Sequence, residues 1–180
     1  MNNCDVELIA NLVGVQCRPD AAGIKTAYVC NTENITAKTV VKSLCSDLTI
    51  TNGKLFILPV TEGSFKPKSE LVLSTAGALM YKHSVEMVVL ARTPAEIEAL
   101  KINTLTFFVE NKQVTSTGGT FTAYGFDCGL KLKTCVKTSD ESGYKLMYES
   151  ETSGLEAYAE HVVYKTSDSD TRILLNGFLA

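Results

Sequence analysis

Tryptophan is absent from this chain, histidine occurs twice, and proline only four times in 180 residues. The six cysteines contain no Cys-x-x-Cys pair: Cys4, Cys17 and Cys30 stand thirteen positions apart, and Cys128 and Cys135 seven. Structural zinc sites use close pairs so that one turn presents two thiolates to the ion. These spacings therefore point away from a metal, and nothing else suggests a cofactor. His83 and His161 lie far apart without a flanking motif, and no Gly-x-Ser-x-Gly elbow occurs, which leaves a nucleophilic triad without its parts. Gly118-Gly119 runs into Thr120 and a strand pattern. No helix N-terminus follows to hold a phosphate, so the pair reads as a turn. With no catalytic constellation assembled, the expectation is a protein that is not an enzyme.

Basic excess is missing too. Seventeen Lys and Arg face twenty Asp and Glu, for a net charge of −3 and a pI near 5.4, where a general nucleic-acid binder shows a basic footprint. No apolar run approaches the length of a membrane span. The opening, MNNCDVELIANL, has no basic region ahead of an apolar core. No signal peptide is expected, and the thiols of a chain made in the cytoplasm stay reduced. The cysteines then read as free, mostly buried small hydrophobes.

What is present in quantity is alternation. In residues 120–150, Leu130 and Leu132 alternate with Lys131 and Lys133, a Ser-Asp-Glu-Ser-Gly turn follows, and Tyr144, Leu146 and Tyr148 alternate with Lys145, Met147 and Glu149. A period of two puts one face of a strand on a core and the other in water, and turn residues between two such runs predict a hairpin. Residues 78–91 alternate likewise, with Tyr81, His83, Val85, Met87 and Val89 against Lys82, Ser84, Glu86 and Val88. Further strands are expected at 24–30, 71–74, 104–110 and 172–178. Residues 6–15 read as a strand or a terminal arm, and 36–48 as extended or irregular.

Asn52-Gly53 between apolar runs predicts a strand–turn–strand over 48–59. Residues 155–164 begin like a helix and end like a strand, and 166–171 read as a turn. One helix is convincing: Thr93-Pro94-Ala95-Glu96 is a capping box that would turn Ile97 and Leu100 toward a core. Residues 61–70 are polar and hold Gly63 and Pro67, the best candidate for an extended loop and so for a binding element. With no repeat, low-complexity tract or linker, residues 1–180 form one domain of a size that buries a real core. The residues alone describe a soluble, mostly β domain. Its alternating strands could line a channel in a closed assembly or belong to an ordinary sandwich.

Three stretches together resemble the phage tail tube proteins, the major tail proteins of long-tailed Bacteroidetes phages and prophages. One is Ala22-Gly23-Ile24-Lys25 leading into Tyr28-Val29. Another is Tyr124-Gly125-Phe126-Asp127-Cys128-Gly129-Leu130. The third is Ser142-Gly143-Tyr144-Lys145-Leu146-Met147-Tyr148-Glu149-Ser150-Glu151, with Ser142 where the family commonly has Asn and Ser150 where it has Gly. The resemblance covers about a third of the chain and carries no catalytic residue.

It implies a mainly β fold, an antiparallel β-sandwich or split barrel with one short flanking helix. It also implies a structural virion protein made in the host cytoplasm. Hexameric rings would stack into a tube alongside tape measure, tail terminator and baseplate proteins, with no membrane involved. DNA would pass through without specific binding, along a wall whose neutral or acidic character keeps phosphates moving. The loop reaching the next ring would hold Glu62, Gly63, Ser64, Phe65, Lys66, Pro67 and Lys68, and the lumen or its rim Glu86, Glu149 and Glu151. A tail terminator, head–tail adaptor or ring protein on the same fold is the nearest alternative. An extracellular β-sandwich adhesin would need oxidised cysteines, and a small enzyme would need a pocket joining a histidine to cysteines.

Overall fold

The computed structural model describes residues 23–58, 64–90, 104–112, 119–137 and 143–180. Its strands, in chain order, are β1 (Ile24–Asn31), β2 (Ile35–Val41), β3 (Leu44–Ile50), β4 (Phe56–Leu58), β5 (Phe65–Leu73), β6 (Leu79–Leu90), β7 (Leu105–Asn111), β8 (Phe121–Tyr124), β9 (Lys131–Lys137), β10 (Gly143–Glu149) and β11 (His161–Val163). A helix, α1 (Asp168–Asn176), follows. The fold is mainly β. A seven-stranded sheet has the order β2-β3-β11-β8-β7-β1-β4, and a four-stranded sheet the order β5-β6-β10-β9. All pairings are antiparallel except β11 on β3.

β7 explains the layering. Its residues from Leu105 to Glu110 are all buried, as expected of a strand covered on both faces. Leu105, Phe107 and Val109 point toward the four-stranded sheet and join Phe65, Val85, Met87, Leu146 and Tyr148 in one core. Phe108 points the other way, into a second core with Tyr28, Cys45, Ile50, Phe121, Phe126 and Leu175. β1 divides its side chains in the same manner, Ala27 to the first core and Tyr28 and Cys30 to the second.

The second core exists because the seven-stranded sheet curls. β3 and β4 stand five positions apart in it, about 24 Å if flat. Residues 51–55, which join them, span only about 20 Å when extended. The curl is plugged by Leu175 of α1 and by Phe126. The result is a sandwich whose larger sheet is half rolled, without closing into a barrel.

Most alternation-based expectations hold. β9 and β10 form the expected hairpin, with Leu146 opposite Cys135 and Tyr148 opposite Leu132. A bulge at Lys133 lets both Leu132 and Cys135 face the core. In β6, His83, Val85 and Met87 are buried as the period of two requires. The strand-like end of 155–164 is β11. The expected helix at Thr93 and the arm at 6–15 lie outside the described residues.

Residues 36–48 are extended: they supply most of the β2–β3 hairpin, which turns at Lys42 with φ 57°. Three expectations are corrected. Asn52-Gly53 makes its turn, with Gly53 at φ +67°, but the flanking strands do not pair with each other. β3 pairs β2 and β11, and β4 pairs β1 across the rolled sheet. The expected strand at 172–178 is instead mostly α1, and the expected turn at 166–171 contributes its first residues. Ser167 caps this helix by accepting a hydrogen bond from the Asp170 amide (3.0 Å), and Asp168 and Asp170 in the first turn favour the positive end of its dipole. Thr171 and Leu175, one turn apart, are its buried residues. The third correction is the loop at 61–70, most of which is β5.

α1 is tied to the sheet through a buried charge. Glu110 is 3% exposed and receives Lys25 Nζ at 2.9 Å and the Arg172 guanidinium. Burial pushes the Glu110 carboxyl up, but Arg172 and Lys25 outweigh it and hold it below the usual carboxylate value.

Candidate functional site

The four-stranded sheet turns one face to the core and leaves the other uncovered by any described element. Because Val85, Met87, Leu146 and Tyr148 point inward, strand geometry sends their neighbours outward. The outer face carries Lys66, Lys68, Lys82, Lys131, Lys133 and Lys145 against Glu70, Glu86, Glu149 and Glu151. Glu86 binds Lys145 at 3.0 Å, Glu149 binds Lys82 at 2.8 Å, Glu151 binds Lys131 at 2.9 Å and Glu70 binds Lys68 at 2.8 Å. Exposed pairs of this kind stabilise by only about 0–1 kcal/mol each. Their larger effect is on the field: every glutamate here is neutralised, and two lysines, Lys66 and Lys133, exceed the balance.

The three acidic residues singled out from the sequence thus sit together, Glu86 on β6, Glu149 on β10 and Glu151 just beyond it. The pattern they form is a chequered wall rather than an acidic one. Their lysine partners come from neighbouring strands, or from the far end of the same hairpin, and no spacing rule within one strand would reveal them.

The expected inter-ring loop fares differently. Phe65, Lys66, Pro67 and Lys68 belong to β5, whose register against β6 runs unbroken from Phe65 opposite Met87 to Leu73 opposite Leu79. Phe65 is 6% exposed and packs on Phe107 with ring centroids 5.9 Å apart. Lys66 and Lys68 point out. Pro67 is compatible with a strand here because β5 is at a sheet edge, where one side needs no amide donor. The Ser64 carbonyl accepts a hydrogen bond from the Val88 amide at 2.9 Å, so the strand is anchored from that residue on. Glu62 and Gly63 lie outside the described residues.

Both edges of this sheet, β5 and β9, have one side without a strand partner among the described residues. Three large apolar side chains, Leu71 (52%), Leu73 (69%) and Leu79 (68%), are exposed at the end of the β5–β6 hairpin.

Sequence reasoning missed a second polar region, in the interior between the sheets. His83 is fully buried; its Nδ1 accepts from the Gly125 amide (3.1 Å) and its Nε2 donates to the Tyr158 carbonyl (2.9 Å). Beside it, Glu156 and His161 are buried and meet Asp127. Asp127 is 29 positions from Glu156 and 34 from His161, so only the fold joins them. Burial pushes Cys30 up to about 12 and Cys45 up to about 11, and the exposed Cys128 is also raised by partial burial and by Glu156.

His83 makes the fold acid-sensitive. Burial lowers its pKa in the folded chain, and a proton on Nδ1 would oppose the Gly125 amide. Below about pH 6.5 the unfolded chain takes up a proton that the folded one refuses, so stability falls as pH drops from there toward the folded value, by up to about 1.4 kcal/mol per unit. His161 acts in the same direction, whereas Glu156 and Glu160, both raised by burial, act in the opposite one. Urea midpoints from pH 7 to 5 should therefore fall less steeply in His83→Gln than in the wild type. Equal slopes would remove His83 from the acid response.

No protein-family model, curated protein or solved structure matches the chain.

Proposed function

We propose that this chain is a structural subunit of a phage tail tube. Hexameric rings of it stack, and the ion-paired face of the four-stranded sheet lines the channel that conducts the genome. The observation that carries this reading is the four-stranded sheet itself, covered on one face by the core and, among the described residues, open on the other, with one side of each edge strand without a partner. Joining β5 of one copy to β9 of the next would continue the sheet around a ring, and ring closure removes the exposed edges. A wall whose lysines are mostly held by glutamates offers few free cations to a phosphate backbone, so DNA slides without being trapped. The role requires no cofactor.

The edges also state a condition for assembly. Beyond the ion-paired Lys68 and Lys131, β5 presents Lys66, and β9 presents Lys133 and Lys137. Edge lysines oppose strand-to-strand association. Their repulsion is long-ranged at about 0.01 M salt, with a Debye length of about 30 Å, and shrinks to about 3 Å at 1 M. Purified protein should be monomeric at low ionic strength and form rings or hollow tubes of uniform width as salt and concentration rise, seen by sedimentation velocity and negative-stain microscopy. A chain that stays monomeric at high concentration under every salt condition would overturn the reading.

A further inference from the structure

The loop at residues 125–130, the segment at 151–160 and β11 converge on three side chains that the tube reading does not use. Glu156, 0% exposed, accepts the Asp127 amide at 3.1 and 3.2 Å and the Cys128 amide at 3.1 Å. His161, 1% exposed, places Nε2 3.1 Å from Asp127 Oδ2 and 3.9 Å from Glu156 Oε2. One donor atom from each of the three lies within 4.8 Å of the other two.

The charges around these atoms do not close. Lys38 Nζ reaches Asp127 through its other oxygen, Oδ1, at 2.5 Å and also meets the Phe126 carbonyl at 3.1 Å, so it offsets one carboxylate. Among the described residues Glu156 has no Lys or Arg partner; only His161 stands near it. A buried carboxylate without a counter-charge is costly. A divalent cation between Oδ2, Oε2 and Nε2 would supply the missing charge.

The donor set is specific. One imidazole and two carboxylates suit zinc and neighbouring first-row ions better than magnesium or calcium, which take oxygen ligands. Tetrahedral zinc with bonds of about 2.1 Å spaces its donors about 3.4 Å apart, and the observed 3.1 and 3.9 Å bracket that value. We propose that Asp127, Glu156 and His161 form a structural site for zinc or a similar first-row divalent ion, clasping the segment at 151–160 and β11 to the loop between β8 and β9. His161 Nδ1 has no hydrogen-bond partner. The outer contact that strengthens histidine ligands is therefore missing, and such contacts are worth about 10–100-fold in affinity.

The test uses the full, reduced chain with cobalt(II) as the probe. One equivalent should bind saturably and give a ligand-field spectrum without a sulfur charge-transfer band, and zinc should compete for the site. Glu156→Gln keeps an oxygen to accept the two amides but loses the charge; it should weaken cobalt binding ten-fold or more, while Glu33→Gln at an exposed position should not. The chain has only two histidines, so carbon-13 histidine labelling of the wild type gives a readout independent of any variant, in which cobalt should shift the His161 ring strongly. Absence of saturable binding, a sulfur band, an unshifted His161, or wild-type affinity in a folded Glu156→Gln chain would each overturn the site.

Discussion

Phe107→Ala is expected to lower stability by about 3–5 kcal/mol, a large part of the roughly 5–15 kcal/mol that holds an ordinary domain together. Phe107 is fully buried and sits between the sheets, its ring centroid 5.9 Å from Phe65 of β5 and 5.5 Å from Tyr148 of β10. It therefore joins an inner strand of the larger sheet to both an edge and an inner strand of the smaller one. Alanine removes the apolar transfer energy of the ring and leaves a cavity that three strands cannot close without losing register. The urea midpoint should fall sharply with little change in slope. A loss below about 1.5 kcal/mol would mean that the site collapses and that this cluster is not what couples the sheets. If the smaller sheet lines a channel, the variant should also fail to assemble at temperatures where the wild type forms rings.

The second large effect is expected at Gly129. Its φ is +72°, and an added Cβ would meet Thr104 Cγ2 and Thr32 Oγ1 well inside 3.0 Å. Thr32 cannot easily retreat, because its Oγ1 is held by the Thr104 carbonyl at 3.1 Å and Thr106 Oγ1 at 3.0 Å. Gly129→Ala should cost the left-handed backbone penalty of about 1–2 kcal/mol plus an overpacking penalty of about 1–3 kcal/mol. Gly77 is the control. Its φ is +79°, yet nothing lies within 4 Å of an added Cβ, so Gly77→Ala should cost the backbone penalty alone. Equal thermal shifts for the two variants would show that the packing around Gly129 yields. Because residues 125–130 also carry Asp127, cobalt affinity should drop in Gly129→Ala if the metal site depends on that loop.

These positions separate two kinds of information. Side-chain period is a local property, so the strands at 79–90, 131–137 and 143–149 were legible wherever one face is buried and the other wet; alternation of Leu146 and Tyr148 with Lys145 and Met147 is sufficient by itself. β7 was legible for a different reason, since Thr104–Glu110 is rich in the β-branched and aromatic residues that suit a strand. α1 was not, because a nine-residue helix shows few repeats of its pattern and its apolar Ile-Leu-Leu run suits a strand equally well until Thr171 and Leu175 are known to face the core. The β5 segment looked like a loop because its outward side chains are charged and it contains a proline, both features that edge strands tolerate.

Strand partners were illegible on principle. An Asn-Gly turn says that the chain reverses, but which edge β4 reaches depends on how far the larger sheet curls, and that follows from packing around Phe108, Phe126 and Leu175. The same holds for the sites. Glu86, Glu149 and Glu151 could be named from their strands, yet the lysines that neutralise them are supplied by cross-strand register or by the far end of the hairpin. Asp127, Glu156 and His161 show no metal-ligand spacing and meet only because the glycine-bounded loop, an irregular segment and a three-residue strand are brought to one point. Residue order determined which segments extend and which side of each is apolar, since both depend on near neighbours. Tertiary structure decided which strands pair, which charges cancel and which ligands converge, since those depend on groups tens of residues apart brought together by the burial of two cores.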